Sequence, residues 1–147
     1  MHNVIRFERA DGSVIPQSPS DTLQSSMTTT STGGLATVAA DLTNAYWRNL
    51  DAVHSWTRNV AFSGNTLRVT DSCSVAAGVR PVFQLQVPVL PVLQGDGSVL
   101  AGSLRIVPLL GVTVTWTAMA APEFSQGYRI DFTSTAGCSF DFELHAQ

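Results

Sequence analysis

The feature that most constrains the fold is a run of alternating apolar and polar residues from His54 to Pro88. Three segments of this run, at residues 56–62, 67–72 and 81–87, alternate in this way, and one face of each is mostly apolar although it includes Arg58 and Asp71. A period of two residues is typical of a β-strand with one buried face. Between the first two segments, Gly64 and Asn65 favour a turn because both residues tolerate positive φ. The run therefore predicts three consecutive strands of one antiparallel sheet.

Similar alternation occurs on both sides of this run. Residues 3–10 predict a strand with Ile5 and Phe7 buried, followed by a turn at the Asp-Gly pair at 11–12. Residues 35–44 carry both helix and strand signals, and we favour a strand. Residues 112–119 predict a half-buried strand, and the segments 127–134 and 139–145 predict a final hairpin. About ten short strands with turn signals every eight to twelve residues indicate an all-β fold, an antiparallel β-sandwich.

We expect three regions along the chain. Residues 1–16 form an N-terminal strand or hairpin, residues 17–34 a flexible Ser/Thr-rich loop, and residues 35–147 the antiparallel β-sandwich. The segment 17–34 offers almost no apolar side chains to a core, which favours a mobile loop. A loop of this length is uncommon in a compact domain unless it is functional or packs on another segment.

Charge and hydropathy exclude some classes of partner but do not decide the cellular compartment. The net charge is −3 and every positive charge is an Arg, so we expect no nucleic-acid and no membrane partner. No apolar run is long enough to span a bilayer, and the N-terminus does not resemble a signal peptide. The chain is either cytoplasmic or part of a longer secreted or periplasmic chain. A strand already under way at residue 3 favours the second alternative.

The cysteines, histidines and carboxylates give no metal or catalytic motif. Cys73 and Cys138 either form one disulfide or are two buried thiols, and the sequence leaves both open. The three histidines, His2, His54 and His145, are too far apart for a metal-binding spacing. Asp131, Asp141 and Glu143 are expected on neighbouring strands, where they could form an acid–base pair. A solvated outer face explains these carboxylates without any chemistry, and we favour that interpretation.

Aromatic residues provide the candidate carbohydrate site. Trp56 and Trp116 alternate with apolar residues, so we expect both in the core. Tyr46 and Trp47 lie in a connection between strands, next to Arg48, and are better placed for an exposed platform on which sugar rings stack. The sequence therefore indicates Tyr46, Trp47 and Arg48 as candidate carbohydrate-binding residues.

Two stretches carry a resemblance to a known family. HNVIRF near the start and SWTRNVAFSGNTLRVTDSC further on resemble the C-terminal part of heparinase II/III-like polysaccharide lyases. The residues Arg58-Asn59-Val60 match that family's Arg-x-[Val/Ile] strand, and Val69-Thr70-Asp71 its Val-x-Asp strand. The segment PVFQLQVP is similar to an apolar strand of the family, with Gln86 where a His often stands. The similarity extends from His2 to about Val107.

The resemblance implies a domain without catalytic residues of its own. In the family, an N-terminal helical toroid supplies the catalytic groups for β-elimination from an acidic, glycosaminoglycan- or alginate-like polysaccharide, and β-sandwich domains follow it. No catalytic residue carries over to this chain. His2 matches a zinc ligand whose His and Asp partners precede it in the family, so His2 would be a vestigial or partial ligand. We expect no cofactor here, with zinc confined to a full-length parent.

These expectations give two functional hypotheses. In the first, the chain is a non-catalytic C-terminal β-sandwich domain that supports the catalytic domain and substrate cleft of a heparinase II/III-like lyase. The alternative is a stand-alone carbohydrate-binding or structural β-sandwich module. The expected partners are the helical catalytic domain, an acidic polysaccharide and a second copy of the chain, because an unpaired sheet edge tends to add strands.

Overall fold

The computed structural model describes residues 5–19, 25–120, 126–135 and 137–147. Within these ranges the chain forms twelve strands and one short 3₁₀ helix. The strands are β1 Ile5–Glu8, β2 Ser26–Thr32, β3 Leu35–Asp41, β4 Val53–Ser63, β5 Thr66–Val75, β6 Arg80–Val87, β7 Val92–Leu93, β8 Val99–Ala101, β9 Leu104–Pro108, β10 Val112–Ala118, β11 Tyr128–Ser134 and β12 Ser139–Ala146, and the 3₁₀ helix is Thr43–Asn49. No helix in these ranges is long and apolar enough to cross a bilayer.

The strands form two antiparallel sheets, which confirms the predicted β-sandwich. The smaller sheet has the strand order β1-β6-β11-β10, and the larger one has the order β2-β3-β4-β5-β12-β9-β8-β7. Every paired strand runs antiparallel to its neighbour. The prediction of a strand within residues 35–44 is also confirmed by β3.

The core between the sheets is aromatic. Phe83 of β6 stacks on Phe142 of β12 with ring centroids 4.5 Å apart, and Phe132 of β11 meets Phe142 edge-on at 4.8 Å. Phe140 lies beside them, and all four side chains are buried. Since Phe140 and Phe142 occupy alternate positions of β12, both point inwards and the intervening Asp141 points outwards. These contacts join the two sheets.

A second aromatic group closes one end of the sandwich. Phe7 of β1 meets Tyr46 of the 3₁₀ helix edge-on, with centroids 5.0 Å apart, and also contacts Trp56 of β4. The Tyr46 hydroxyl donates a hydrogen bond to the Ile5 carbonyl at 3.3 Å. Ile5 and Phe7 are fully buried, as the alternation of the first strand predicts.

The central run is confirmed as three strands, but they do not share one sheet. β4 and β5 form the predicted hairpin, with Gly64 at a φ of 60° in the turn. β6 instead lies in the smaller sheet, between β1 and β11. The turn at Ala76–Val79 carries the chain from one sheet to the other. Alternation of apolar and polar residues indicates which side chains are buried. It occurs in strands of both sheets, so it does not tell which sheet a strand joins.

The predicted final hairpin is wrong for the same reason. β11 pairs with β10 and β6 in the smaller sheet, whereas β12 pairs with β5 and β9 in the larger one. Cys138, just before β12, forms a disulfide with Cys73 of β5, with Cα atoms 5.1 Å apart. Of the two alternatives for the cysteines, the structure therefore has the disulfide.

The expectation of an irregular loop over residues 17–34 is wrong for residues 26–32. These residues form β2, which pairs with β3 along its whole length and lies at one edge of the larger sheet. The hairpin turns at Gly33 and Gly34, whose φ angles of 60° and 81° suit a two-residue turn. All seven residues of β2 are exposed, so no pattern of buried residues indicates this strand.

Candidate functional site

The predicted aromatic platform is only partly present. Tyr46 is buried against Phe7, so its expected exposure is wrong. Trp47 is 36% exposed, and the Arg48 guanidinium lies 4.7 Å from the centre of its indole ring. The Arg48 amide also donates to Ser18 Oγ at 3.1 Å. What remains of the predicted site is a stacked pair, Trp47 and Arg48, on the surface.

The other two tryptophans differ from each other. Trp56 lies in the core as predicted, but Trp116 is 39% exposed, so the expectation that it is buried is wrong. Trp116 belongs to β10, which ends the smaller sheet, and its neighbours on that strand are also exposed from Thr115 to Ala118. A strand at the end of a sheet has a neighbour on one side only, so alternation there does not ensure burial.

The sequence offers one candidate metal ligand, His2. His2, the zinc ligand implied by the resemblance, lies outside the described residues. In the part of the chain that the structure describes, no three His, Cys, Asp or Glu side chains are placed together to hold a metal ion. His54 Nδ1 lies 2.8 Å from the Leu50 carbonyl, and His145 lies beside Thr66 and Glu143.

The three candidate carboxylates are not brought together. Asp131 lies in the smaller sheet, where it accepts hydrogen bonds from Arg6 and Arg129. Asp141 and Glu143 share the outer face of β12 in the larger sheet, and Arg68 donates two hydrogen bonds to Asp141 at 2.9 and 2.7 Å. The hydrogen bond from Arg68 lowers the pKa of Asp141 despite its partial burial. A carboxylate held in its charged form in this way is a weak base.

A second ionic group covers the outer face of the smaller sheet. Arg6 donates to Glu8 at 2.8 Å, to Gln84 at 2.8 Å and to Asp131 at 3.1 Å, and Arg80 also contacts Glu8. Burial disfavours the charged form of Glu8, but the hydrogen bonds from Arg80 and Arg6 outweigh it, so the pKa of Glu8 is lowered. Each of these charges is matched by an opposite one, which suits a structural role.

Another ion pair lies inside the sandwich and involves two residues of the resemblance. Arg58 of β4 donates to both carboxylate oxygens of Asp71 on β5, at 2.9 and 2.7 Å. Trp56 Nε1 donates to the same carboxylate at 2.7 Å. The Arg58 guanidinium also lies 5.4 Å from the centre of the Phe83 ring in the opposite sheet. These two motif residues therefore contact each other and the core.

A partly exposed apolar strip lies on the inner face of the larger sheet. Met27, Val38, Val60 and Phe62 lie on the inner face of β2, β3 and β4, and we call these four residues the overhang. Val38 pairs with Val60 and Val60 with Val69, and Val69 pairs with the fully buried Phe142, which fixes their common face. Met27 is nevertheless 65% exposed and Phe62 50% exposed. The larger sheet thus extends past the smaller one on this side.

A groove joins the overhang to the core. It has a volume of about 220 Å³ and lies between the two sheets. Its lining includes Val60, Leu67, Val69 and Leu144 of the larger sheet and Phe83 and Leu85 of the smaller one. Arg58 also lines the groove, so the overhang and groove together form a mostly apolar surface. Exposed apolar surfaces mark contact sites on many proteins.

Sequence reasoning missed the overhang because β2 was expected to be a loop. The available signal is the run of β-branched threonines at 28–30, which favours a strand although it supplies nothing to a core. Comparison with known proteins adds no assignment to this picture. No family model matches the chain, and no curated protein matches it.

Proposed function

We propose that this chain is the non-catalytic β-sandwich domain of a heparinase II/III-like polysaccharide lyase, and that it supports a helical catalytic domain. The observation that carries the proposal is the overhang, an apolar surface on the inner face of the larger sheet where Met27 is 65% exposed and Phe62 50% exposed. A domain that braces another domain needs a contact surface of this kind. The acidic polysaccharide would then bind in the cleft of the catalytic domain, and the sandwich would form part of its wall.

The energetics of the overhang favour a partner over solvent. Fully burying an aliphatic or aromatic side chain gains about 1.5–3 kcal/mol relative to leaving it exposed. Met27 and Phe62 are at least half exposed, so a partner that covers them recovers a large part of that gain for each. Val38 and Val60, which are half-buried, extend the same surface.

The position of the resemblance motifs also supports the proposal. Arg58 and Asp71 lie opposite each other in β4 and β5 and hold each other inside the sandwich. Motif residues used in this way stabilise a domain and do not require a substrate. A domain whose retained residues serve its own packing is consistent with a supporting role.

The reading frame upstream of Met1 provides the first test. We expect it to encode a helical domain in frame with this chain, with a His and an Asp that could join His2 at a metal site. A frame without a helical domain overturns the proposal. In a lyase assay that follows the unsaturated product by ultraviolet absorbance, this chain alone is expected to show no turnover.

Binding in trans provides the second test. The upstream helical domain is produced separately and titrated with this chain by calorimetry. We expect Phe62→Ser to weaken binding by about tenfold or more, because a tenfold change needs only about 1.4 kcal/mol. Leu93→Ser is the matched control, since Leu93 is also 50% exposed but lies at the opposite edge of the sheet. If the two variants weaken binding to the helical domain equally, or if neither of them binds it, the overhang does not have this role.

A second candidate function is carbohydrate binding by Trp47 and Arg48. The observation that favours it is their stacking on the surface, which places an aromatic ring beside a cation suited to a uronate carboxylate. Titration with uronic-acid polymers should quench tryptophan fluorescence, and Trp47→Ala should abolish the response while Trp116→Ala retains it. An unchanged signal from the parent chain excludes this function.

A further inference from the structure

We propose that two copies of this chain associate through β2, so that their larger sheets join edge to edge into one continuous antiparallel sheet. The inference rests on the edge strand and is independent of the proposed function. It concerns the backbone of Ser26–Thr32, whereas the supporting role uses the apolar face of the overhang.

The backbone of β2 has an unpaired side. In the described part of the chain, β3 is its one neighbour. The two-residue turn at Gly33 and Gly34 makes Thr32 and Leu35 a hydrogen-bonded pair, and such pairs alternate along an antiparallel ladder. The amide and carbonyl groups of Met27, Thr29 and Ser31 therefore face away from β3. Another extended strand satisfies such a row of donors and acceptors most completely.

The edge at β2 lacks the usual protection against pairing. Natural edges carry charges, prolines or bulges, or are very short. From Ser25 to Ala40 the sequence contains no charged residue and no proline, and the register of β2 on β3 is unbroken over seven pairs. The opposite edge differs, because β7 has two residues and directly follows Pro91. The same sheet thus has one protected edge and one open edge.

The sequence of β2 suits pairing with itself. A twofold axis at Thr29 places this residue opposite its counterpart, Thr28 opposite Thr30, and Met27 opposite Ser31. Each outward-facing pair exchanges two backbone hydrogen bonds, giving about six in all. Hydroxyl side chains meet at most positions, and cross-strand threonine pairs stabilise sheets. The pattern already exists within the chain, where Thr30 Oγ1 and Thr37 Oγ1 lie 2.6 Å apart.

This self-matching sequence makes a second copy a better occupant of the edge than an unrelated strand. A twofold axis perpendicular to the sheet keeps both inner faces on the same side. The Met27 side chain of one copy then lies opposite Ser31 of the other, and the two Thr29 residues lie between the overhangs. Both strands are uncharged, so no like charges meet at the junction.

Sedimentation velocity over a wide concentration range tests the inference. We expect the parent chain to change from a species of 15.7 kDa to one of twice that mass as concentration rises. Thr29→Lys and Thr29→Asp should each remain monomeric, because like charges would face each other at the twofold axis. An equimolar mixture of the two variants should restore the dimer. Leu93→Lys, which places the same charge on the opposite edge, should dimerise like the parent chain.

The charge pair also separates pairing from folding. A variant that had lost its fold would not be rescued by its oppositely charged counterpart, whereas a folded one would. A parent chain that stays monomeric throughout, a Thr29→Lys variant that dimerises like the parent, or a mixture that fails to dimerise overturns the inference. If the parent chain dimerises but does not bind the helical domain, the proposed function is contradicted and the dimer is not.

Discussion

Arg58 and Asp71 lie directly opposite each other on β4 and β5, and the guanidinium holds both oxygens of a carboxylate that has no exposed surface. Trp56 donates a third hydrogen bond from its indole nitrogen. Since a buried charge is tolerated only when it is paired and hydrogen-bonded, the three side chains depend on one another. The pair also lies beneath Phe83, so it connects the hairpin of the larger sheet to the smaller sheet.

The first prediction concerns the energy of this pair. Asp71→Asn and Arg58→Met should each lower the free energy of unfolding by about 3–5 kcal/mol, because each leaves an uncompensated partner in the core. The double variant should cost clearly less than the sum of the two. Urea unfolding of the four proteins gives the coupling, and strictly additive losses would show that the pair does not interact.

The second prediction concerns the disulfide between Cys73 and Cys138. It closes a loop of 65 residues in the unfolded chain, and the chain-entropy relation gives a stabilisation of about 4 kcal/mol for that length. Urea unfolding with and without a reductant should show a loss of this size. The Cys73→Ser/Cys138→Ser double variant serves as the control and should not respond to the reductant. If the parent chain responds no more than this variant, the disulfide does not stabilise the fold.

Much of the fold follows from short-range patterns. The hairpin of β4 and β5 is predictable because the strands alternate and Gly64 lies between them in the turn. The sheet to which β6 or β12 belongs cannot be predicted in this way, because alternation indicates which side chains are buried and gives no information about the neighbouring strand. β2 is hidden for a different reason. Its backbone pairs with β3 while its side chains remain in solvent, so hydrophobic periodicity does not indicate a strand there.

The candidate site was less predictable than the fold. Tyr46 lies in a connection, which favours exposure, yet Phe7 and Trp56 from two distant strands enclose it. The overhang depends on one sheet having more strands than the other, and no local pattern contains that information. The Arg58–Asp71 pair is intermediate in predictability, because the two residues must face each other once the register of the hairpin is known.

The third prediction concerns Gly127, which precedes β11. Its φ is 131°, and a Cβ atom there would lie 2.9 Å from the Val87 carbonyl oxygen. Gly127→Ala should therefore destabilise the fold by about 2–3 kcal/mol, since strain and a backbone clash act together. Gly64→Ala is the control, because Gly64 has a φ of 60° with open space around it and should cost about 1–2 kcal/mol. Equal losses in thermal unfolding would contradict the clash.

The fourth prediction concerns acid. Burial opposes the charged form of Glu8, but the hydrogen bonds from Arg80 and Arg6 lower its pKa below the usual 4.5, and the hydrogen bond from Arg68 lowers the pKa of Asp141 below 3.8. A carboxyl group whose pKa is lower in the folded state stabilises the fold above its unfolded pKa. This contribution is lost as the pH falls through the folded pKa. The urea midpoint should therefore change little from neutral pH to about pH 5 and decline below about pH 4.

Asp141→Asn tests this assignment on the larger sheet. The variant should have a lower urea midpoint at neutral pH and a shallower decline in acid, because one of the responsible groups no longer titrates. Arg68→Gln should also flatten the decline, since without the guanidinium the pKa of Asp141 loses its main cause of lowering. Variants that lower the midpoint equally at every pH would show that the ion pair contributes nothing to the acid sensitivity.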